Sequence, residues 1–487
     1  MKRICRIVFL LFLLAGHRAW AGNAYPYAHL YKDLPFSMPQ VTRPSIPART
    51  VNLKDYGAVG DGSSLCTQAF SKAIEALSSR GGGRLVVPQG VWFTGPIILK
   101  SNINLHLEKG AVILFSPDFS LYPLVKTVFE GLDTYRCQSP LSGHRLTNVA
   151  ITGEGVIDGN GDRWRPIHKN RVTESNWRRL TAPGGVYKTP DHWYPSESSL
   201  KGSLNSDMNV PRGLKTLADW QAVHDYLRPV MVSLVECRNV WLQGVIFQNS
   251  PAWCIHPLMC ENVLVENLNV RNPAYAANGD AVDLESCKNT LIINSVFDAG
   301  DDGICIKSGK DADGRRRARP CENLIVDGCT VFRGHGGFVV GSEMSGGVRN
   351  MSVSNCQFLG TDVGLRFKSR RGRGGIVENI WIKNISMVDI VTEAIRFNLF
   401  YWTKGQKDTS PKPVDETTPR FRNIHIENVY CRNAGRALYF EGLPEMPVDN
   451  ISLKNVAISA REDAVFRYCT NVRRENVKIT VVKTLSE

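Results

Sequence analysis

From residue 239 onward a short pattern of Asn, apolar, any residue, apolar recurs along the chain. It reads Asn239-Val-Trp-Leu, Asn262-Val-Leu-Val, Asn289-Thr-Leu-Ile and Asn323-Leu-Ile-Val, then begins again at Asn350, Asn379, Asn423 and Asn450, with an earlier copy at Asn148. Successive copies from Asn239 are 23 to 44 residues apart, the mark of a solenoid whose loops differ in length. Within each copy apolar and polar residues alternate, the period-2 pattern of a strand with one buried face, and a second short strand such as Val296-Phe297 or Gln357-Phe358 follows a turn. Units of this size with several short strands predict an all-β chain wound as a parallel β-helix. A propeller has a similar period, but each blade needs four antiparallel strands and about 40 residues. Asn at every turn fits side-chain amides that stack from coil to coil and bond the backbone of a tight bend.

Solenoid ends need covers. Leu65 to Leu77 places Ala69, Phe70, Ala73, Ile74 and Leu77 on one face and predicts an amphipathic helix that plugs the N-terminal opening. Gly81-Gly-Gly83 ends it, and Arg84-Leu-Val-Val-Pro88 begins the first coil. Residues 159–228 break the rhythm with an insertion rich in Trp, Tyr and charge, which belongs on one face of the solenoid. Its aromatic residues either stack on sugar rings or pack the insertion onto the coils. The rest reads as one domain over 22–487.

Residues 1–21 have the three parts of a secretory signal: basic Lys2, Arg3 and Arg6, the apolar run Ile7 to Ala15, and Ala19-Trp-Ala21 for cleavage. No later run approaches the roughly 18 apolar residues that cross a bilayer. The expectation is a soluble, monomeric protein exported to the periplasm or beyond, with no membrane anchor. The chain carries a net charge of +13, and loss of the four basic residues of the leader leaves +9, which favours a polyanionic partner. In an exported protein an acidic polysaccharide or a membrane surface is a better partner than nucleic acid, and charge alone does not choose between them. Of 13 cysteines, the twelve after the leader are scattered singly, without zinc spacing, and most lie in apolar strand-like runs that predict buried thiols.

Solenoid geometry turns spacing into distance, because equivalent positions in neighbouring coils lie roughly 4.8 Å apart. Asp280, the pair Asp301-Asp302, His335, and the pair Arg366 and Lys368 fall at similar phases of four successive coils. They predict a stripe roughly 15 Å long on one face. In Arg366-Phe-Lys368 the period-2 rule sends both cations to one side and Phe367 to the other. Clustered carboxylates repel one another, which raises the pKa of one and leaves others ionised. That is what hydrolysis of a glycosidic bond demands: an acid for the leaving oxygen and a base for the attacking water.

Taken in order, Asn278-Gly-Asp280, Gly300-Asp-Asp-Gly303, Gly334-His-Gly336 and Arg366-Phe-Lys368 resemble the motifs of glycoside hydrolase family 28, the polygalacturonases and related pectin hydrolases. Val51-Asn-Leu-Lys-Asp-Tyr-Gly-Ala-Val-Gly-Asp-Gly62 also looks like the start of such enzymes, so the likeness spans roughly residues 50 to 470. It implies a right-handed parallel β-helix and metal-free, cofactor-free inverting hydrolysis of α-linked galacturonate in plant cell-wall pectin. Asp301 would be the general acid, Asp280 and Asp302 the pair holding water, and His335 the partner tuning the carboxylates. Arg366 and Lys368 would hold the substrate carboxylate. The family's active-site Tyr has its candidate in Tyr401, and Gly279 stands where Thr or Ala is common. The insertion and Gly336-Gly-Phe-Val-Val-Gly-Ser-Glu-Met-Ser-Gly346 look like the exo-acting bacterial members.

Three other readings compete: a rhamnogalacturonan or substituted-galacturonan hydrolase of the same family, a pectate lyase with calcium at Asp301-Asp302, and a noncatalytic carbohydrate-binding solenoid. Asp311-Ala-Asp-Gly314 hints at a calcium loop, but Arg316 stands where such a loop needs Gly. Arg315-Arg-Arg-Ala-Arg319 is either a contact for anionic substrate or a solvated loop. His256, one coil before Asp280, is either a further substrate contact or structural.

Overall fold

The computed structural model describes residues 25–402 and 407–482. The expected leader lies outside them. The chain is the expected right-handed parallel β-helix. Each coil contributes strands to three stacks, and strands within a stack pair in parallel. The first stack holds the Asn repeat and includes Glu261–Glu266, Lys288–Ile293, Cys321–Asp327 and Val348–Ser354. The second includes Asn269–Arg271, Val296–Asp298 and Thr330–Phe332. The third, which carries the site, runs through Ile255–Leu258, Val282–Glu285, Asp302–Lys307, Gly336–Gly341 and Leu365–Lys368. In later coils the turns open into bends, so single strands such as Ile376–Asn398 and Arg420–Glu441 run through all three faces.

The repeat Asn residues sit in the left-handed backbone region, where Asn is tolerated better than most side chains. Each donates its side-chain amide to the carbonyl of the Asn one coil before, in an unbroken ladder from Asn450 to Asn102 that includes Asn323 to Asn289 at 3.0 Å and Asn239 to Asn148 at 3.0 Å. The turn position is therefore chosen twice, for its backbone angle and for its amide.

Inside, alternate residues of the third stack are fully buried, among them Ile304, Ile306, Phe338, Val340, Leu365 and Phe367. Burying such a side chain stabilises by about 1.5–3 kcal/mol. Because the core takes every second residue, the intervening ones must face outward. The helix α1 (Thr67–Ser78) covers the N-terminal end with the five expected residues buried. It starts two residues later than the apolar pattern suggested, since Leu65 lies exposed before the cap. The twelve cysteines among the described residues are free thiols, buried except for half-buried Cys469.

Two excursions leave the coils on the side of the third stack. One is the hairpin Leu124–Phe129 with Leu132–Cys137, which the repeat did not signal. The other is the expected insertion, with a small antiparallel sheet of Ile167–His168, Val186–Thr189 and His192–Tyr194, and short helices at Glu174–Thr181 and Glu197–Leu204. Buried Arg136 bonds the carbonyls of Arg228 and Asn209, and Arg228 bonds Asn278 Oδ1 at 2.7 Å, so both excursions are tied to the coil that carries Asp280. Trp164, Trp177 and Trp193 are buried within the insertion, which decides their role in favour of packing. No helix among the described residues is long and apolar enough to cross a membrane.

Candidate active site

Two turns set the carboxylates. Val282 pairs with Ile304, an alignment that brings Asp280 beside Asp302, and the Ala281 N–H bonds the Asp302 carbonyl at 3.0 Å. Likewise Asp302 pairs with Gly336, so His335 lies beside Asp301, with the His335 N–H on the Asp301 carbonyl at 2.7 Å. The glycines around the acid pair make this approach possible. A Cβ on Gly303 would lie 2.5 Å from a Val331 methyl, and one on Gly300 would lie 2.5 Å from the Pro273 carbonyl oxygen.

Asp280, Asp301, Asp302, His335, Arg366, Lys368 and Tyr401 line one cavity of about 480 Å³. The structure thus gathers every expected site residue except His256. Arg366 and Lys368 lie further along their strand than the shared phase suggested: they pair with Val339 and Gly341, and through them stand in the columns of Asp283 and Glu285. Long side chains bring them back. Lys368 Nζ reaches Asp302 Oδ2 at 2.6 Å, and Arg366 bonds Asp302 Oδ1 at 3.2 Å. Tyr401 stands over both cations, 5.2 Å from Lys368 Nζ and 5.7 Å from the Arg366 guanidinium.

The three carboxylates are electrostatically distinct. Burial alone would raise Asp302, but Lys368, Arg366 and Lys307 outweigh it and hold its carboxyl well below the usual range. Burial pushes Asp280 well up, and the charges of Asp283, Asp301 and Asp302 add to the effect against the pull of Lys307. Its Oδ1 has no hydrogen-bond partner among the described residues. Asp301 is the accessible member, its side chain 22% exposed, and accepts from His335 Nδ1 at 2.8 Å. That bond and the Asp301 charge raise the imidazole above its ordinary value against desolvation. One oxygen of Asp280 and one of Asp302 lie within 4.8 Å of each other, a gap that one water spans with two ordinary hydrogen bonds.

Beneath these groups lies a layer that motif reading missed. Lys307 lines the cavity, bonds Glu343 Oε2 at 2.9 Å and stands 3.7 Å from Asp283 Oδ1. Burial and neighbouring carboxylates push Asp283 up, whereas Lys307, Arg373 and Lys368 overcome burial and hold Glu343 down. A signal was present. In Val282-Asp-Leu-Glu285 and Ile304-Cys-Ile-Lys307 the apolar residues take the core, so Asp283, Glu285 and Lys307 had to face the same side as the stripe. Glu130, Met208 and Asn209 also wall the cavity, and no repeat position points to them because they belong to the two excursions.

His256 does not reach the cavity. It is 1% exposed, lies edge-on to Trp253 at 5.1 Å and bonds Glu285 Oε2 at 3.0 Å. The structural alternative fits its place, because its ring is buried against Trp253 and Glu285, and it is Trp253 that lines the cavity. Arg317 and Arg316 reach Asp133 on the hairpin, at 2.8 and 3.3 Å, and so serve to anchor an excursion.

Asp280, Asp302 and Cys305 are close enough to share an ion, but the donor set is a poor one. Both Asp302 oxygens are engaged by cations, burial pushes the Cys305 thiol well up, and calcium seeks six to eight oxygens.

A model of the Glycosyl hydrolases family 28 matches residues 220–480. A probable polygalacturonase of Vitis vinifera is 29% identical over 440 residues, 88% of this chain and 78% of the relative. An exo-poly-alpha-D-galacturonosidase of Dickeya chrysanthemi is 30% identical over 404 residues, 81% of this chain and 64% of the relative. Among solved structures, a hyperthermoactive exopolygalacturonase from Thermotoga maritima superposes with a TM-score of 0.75 at 37% identity, covering 90% of this chain and 94% of that one.

Proposed function

The chain belongs to glycosyl hydrolase family 28 and is a glycoside hydrolase, and from that premise we propose that it removes galacturonate units from the ends of polygalacturonate or its oligosaccharides with inversion at the anomeric carbon. The observation that carries this reading is the division of labour in the cavity. Asp302, held ionised by Lys368 and Arg366, and Asp280 flank a gap one water wide, while Asp301 stands apart on His335 with access to solvent. Water held between Asp280 and Asp302 attacks the anomeric carbon and passes a proton to the ionised Asp302 while Asp301 gives one to the departing oxygen, and direct displacement by that water inverts the centre. Arg366 and Lys368 face the substrate carboxylate as a planar fork and a point charge. Export through the leader at residues 1–21 would bring the enzyme to pectic material outside the cytoplasm.

Exo action is supported by what surrounds the cavity. Met208, from the insertion, lines it together with Tyr401 and Trp402 from a later coil, so the cavity is walled by segments that lie outside the third stack. The names of the Dickeya relative and the Thermotoga structure agree. Incubated with polygalacturonate, the protein should release galacturonate or its dimer from the earliest time points while viscosity stays near its starting value. A fast loss of viscosity with few new reducing ends would show internal cleavage. An unsaturated product, absorbing in the ultraviolet and abolished by chelator, would show elimination and sink the hydrolytic reading.

The Asp301–His335 pair gives the pH dependence a sign. His335 keeps its proton to above the ordinary imidazole value, because the Asp301 carboxylate both bonds it and faces it with a negative charge. Activity should therefore persist past roughly pH 6.5, the ordinary imidazole value, and fall only at higher pH. In His335→Gln the pair loses that reservoir and the alkaline limb of kcat/KM should move down by about one pH unit or more. An unmoved limb would remove His335 from the proton-bearing unit.

A further inference from the structure

We propose that Arg370 and the cavity it lines form a second carboxylate-binding subsite, which takes the galacturonate unit adjoining the one held by Arg366 and Lys368. The inference rests on the polygalacturonate reading and extends it to a position outside the catalytic cavity. Arg366, Lys368 and Arg370 fall at i, i+2 and i+4, alternating with Phe367 and Ser369, which are fully buried. The three cations therefore share one face of the same stretch of chain. The first two line the catalytic cavity, and the third lines a neighbouring cavity of about 480 Å³. The two cavities share Met208, Tyr401 and Trp402, so a chain in one has a direct way into the other.

What singles out Arg370 is the state of its neighbours. Arg371 holds both oxygens of Glu445, at 2.6 and 2.8 Å, and the Asp408 carbonyl. Arg373 is 1% exposed and holds Asp311 Oδ1 at 2.5 Å and the Ser342 carbonyl at 3.2 Å. The acid in this cavity, Asp207, is engaged by Arg212 at 3.0 Å and Lys310 at 3.3 Å. Arg370 makes no side-chain hydrogen bond or ion pair among the described residues, although it is half-buried. A guanidinium left without an anion in a concave wall, while every neighbouring charge is matched, is set for an anionic ligand. Trp402, 60% exposed on the shared wall, offers the flat apolar surface on which a sugar ring packs. A polymer that carries one carboxylate per sugar supplies both features at once.

The test compares wild type with Arg370→Gln on digalacturonate, trigalacturonate, and trigalacturonate methyl-esterified on single units. The ratio of kcat/KM for trimer over dimer should fall by about tenfold in the variant, since a charge-assisted hydrogen bond at a half-exposed site is lost. Esterifying the unit at Arg370 should slow the wild type by a similar factor and leave the variant indifferent. A variant that keeps the wild-type ratio, or that remains as sensitive to the ester as the wild type, overturns the second subsite while hydrolysis itself stands. A wild type that cleaves no galacturonate of any length overturns the polygalacturonate reading and the subsite with it.

Discussion

Asp301→Asn should leave a folded protein that binds galacturonate and turns it over about 10³- to 10⁴-fold more slowly. The substitution is a clean one. Asp301 is the most accessible of the three acids, its only side-chain partner among the described residues is His335 Nδ1 at 2.8 Å, and an Asn carbonyl still accepts that bond. The same exchange at Asp302 would leave Lys368 and Arg366 facing a neutral amide in a buried site, so lost activity there would mix chemistry with electrostatic disruption. At Asp301 the change removes the proton and a partly exposed charge that His335 and Asp280 feel, but it leaves both buried cations on Asp302. Its effect should depend on the leaving group: a galacturonide whose departing alcohol is acidic enough to leave unprotonated should be cleaved by the variant with a much smaller deficit. Single-turnover rates on both substrates, with binding measured separately, give the comparison. A variant that keeps a tenth of the activity on polygalacturonate would end the assignment of Asp301 as acid.

Apart from the capping helix, read from its apolar face, and the presence of the insertion, the parts of this molecule that were legible in the sequence are those that repeat. The Asn ladder could be read from Asn148 to Asn450 because the same backbone angle and the same amide bond recur in coil after coil, whereas its first rung, Asn102, lies before the earliest copy of the repeat that was read. The stripe could be read because register in a solenoid is inherited: once Val282 pairs with Ile304, Asp280 must lie beside Asp302. The excursions obey no period. The hairpin at Leu124–Cys137 returns to the solenoid through single contacts such as the Lys310 N–H on the Gly131 carbonyl, and nothing in its sequence states where its tip will land. So Glu130 and Met208, which wall the cavity, could not be foreseen, whereas Asp283 and Lys307 could have been, from alternation alone. His256 shows the limit of that rule. Alternation places it on the outer face in the column of Asp283, but Trp253 then covers it, and covering is a property of the loop before the strand.

Lys368→Met should lower kcat/KM by about 10²- to 10³-fold, the scale expected when one partner of a buried charge pair is truncated. Met preserves much of the buried stem, so the change is chiefly one of charge. Lys368 is only 6% exposed and has two roles that depend on the same ammonium group. It bonds Asp302 Oδ2 at 2.6 Å, and it faces the position proposed for the substrate carboxylate. Without it Asp302 keeps Arg366 and Lys307 but loses its nearest cation, so its carboxyl rises from the depressed state and becomes a poorer anchor for the attacking water. Stability should report the same event independently of substrate. A carboxylate depressed by folding contributes stability that is present above its unfolded pKa, near 3.9, and is lost as pH falls through the folded value. The wild type should therefore unfold at a higher temperature than the variant at pH 7, and the gap should narrow as pH drops below about 4. A gap that persists undiminished in acid would mean that the substitution acts through packing. Equal activity of the two proteins would show that Arg366 alone both holds the substrate and keeps Asp302 ionised.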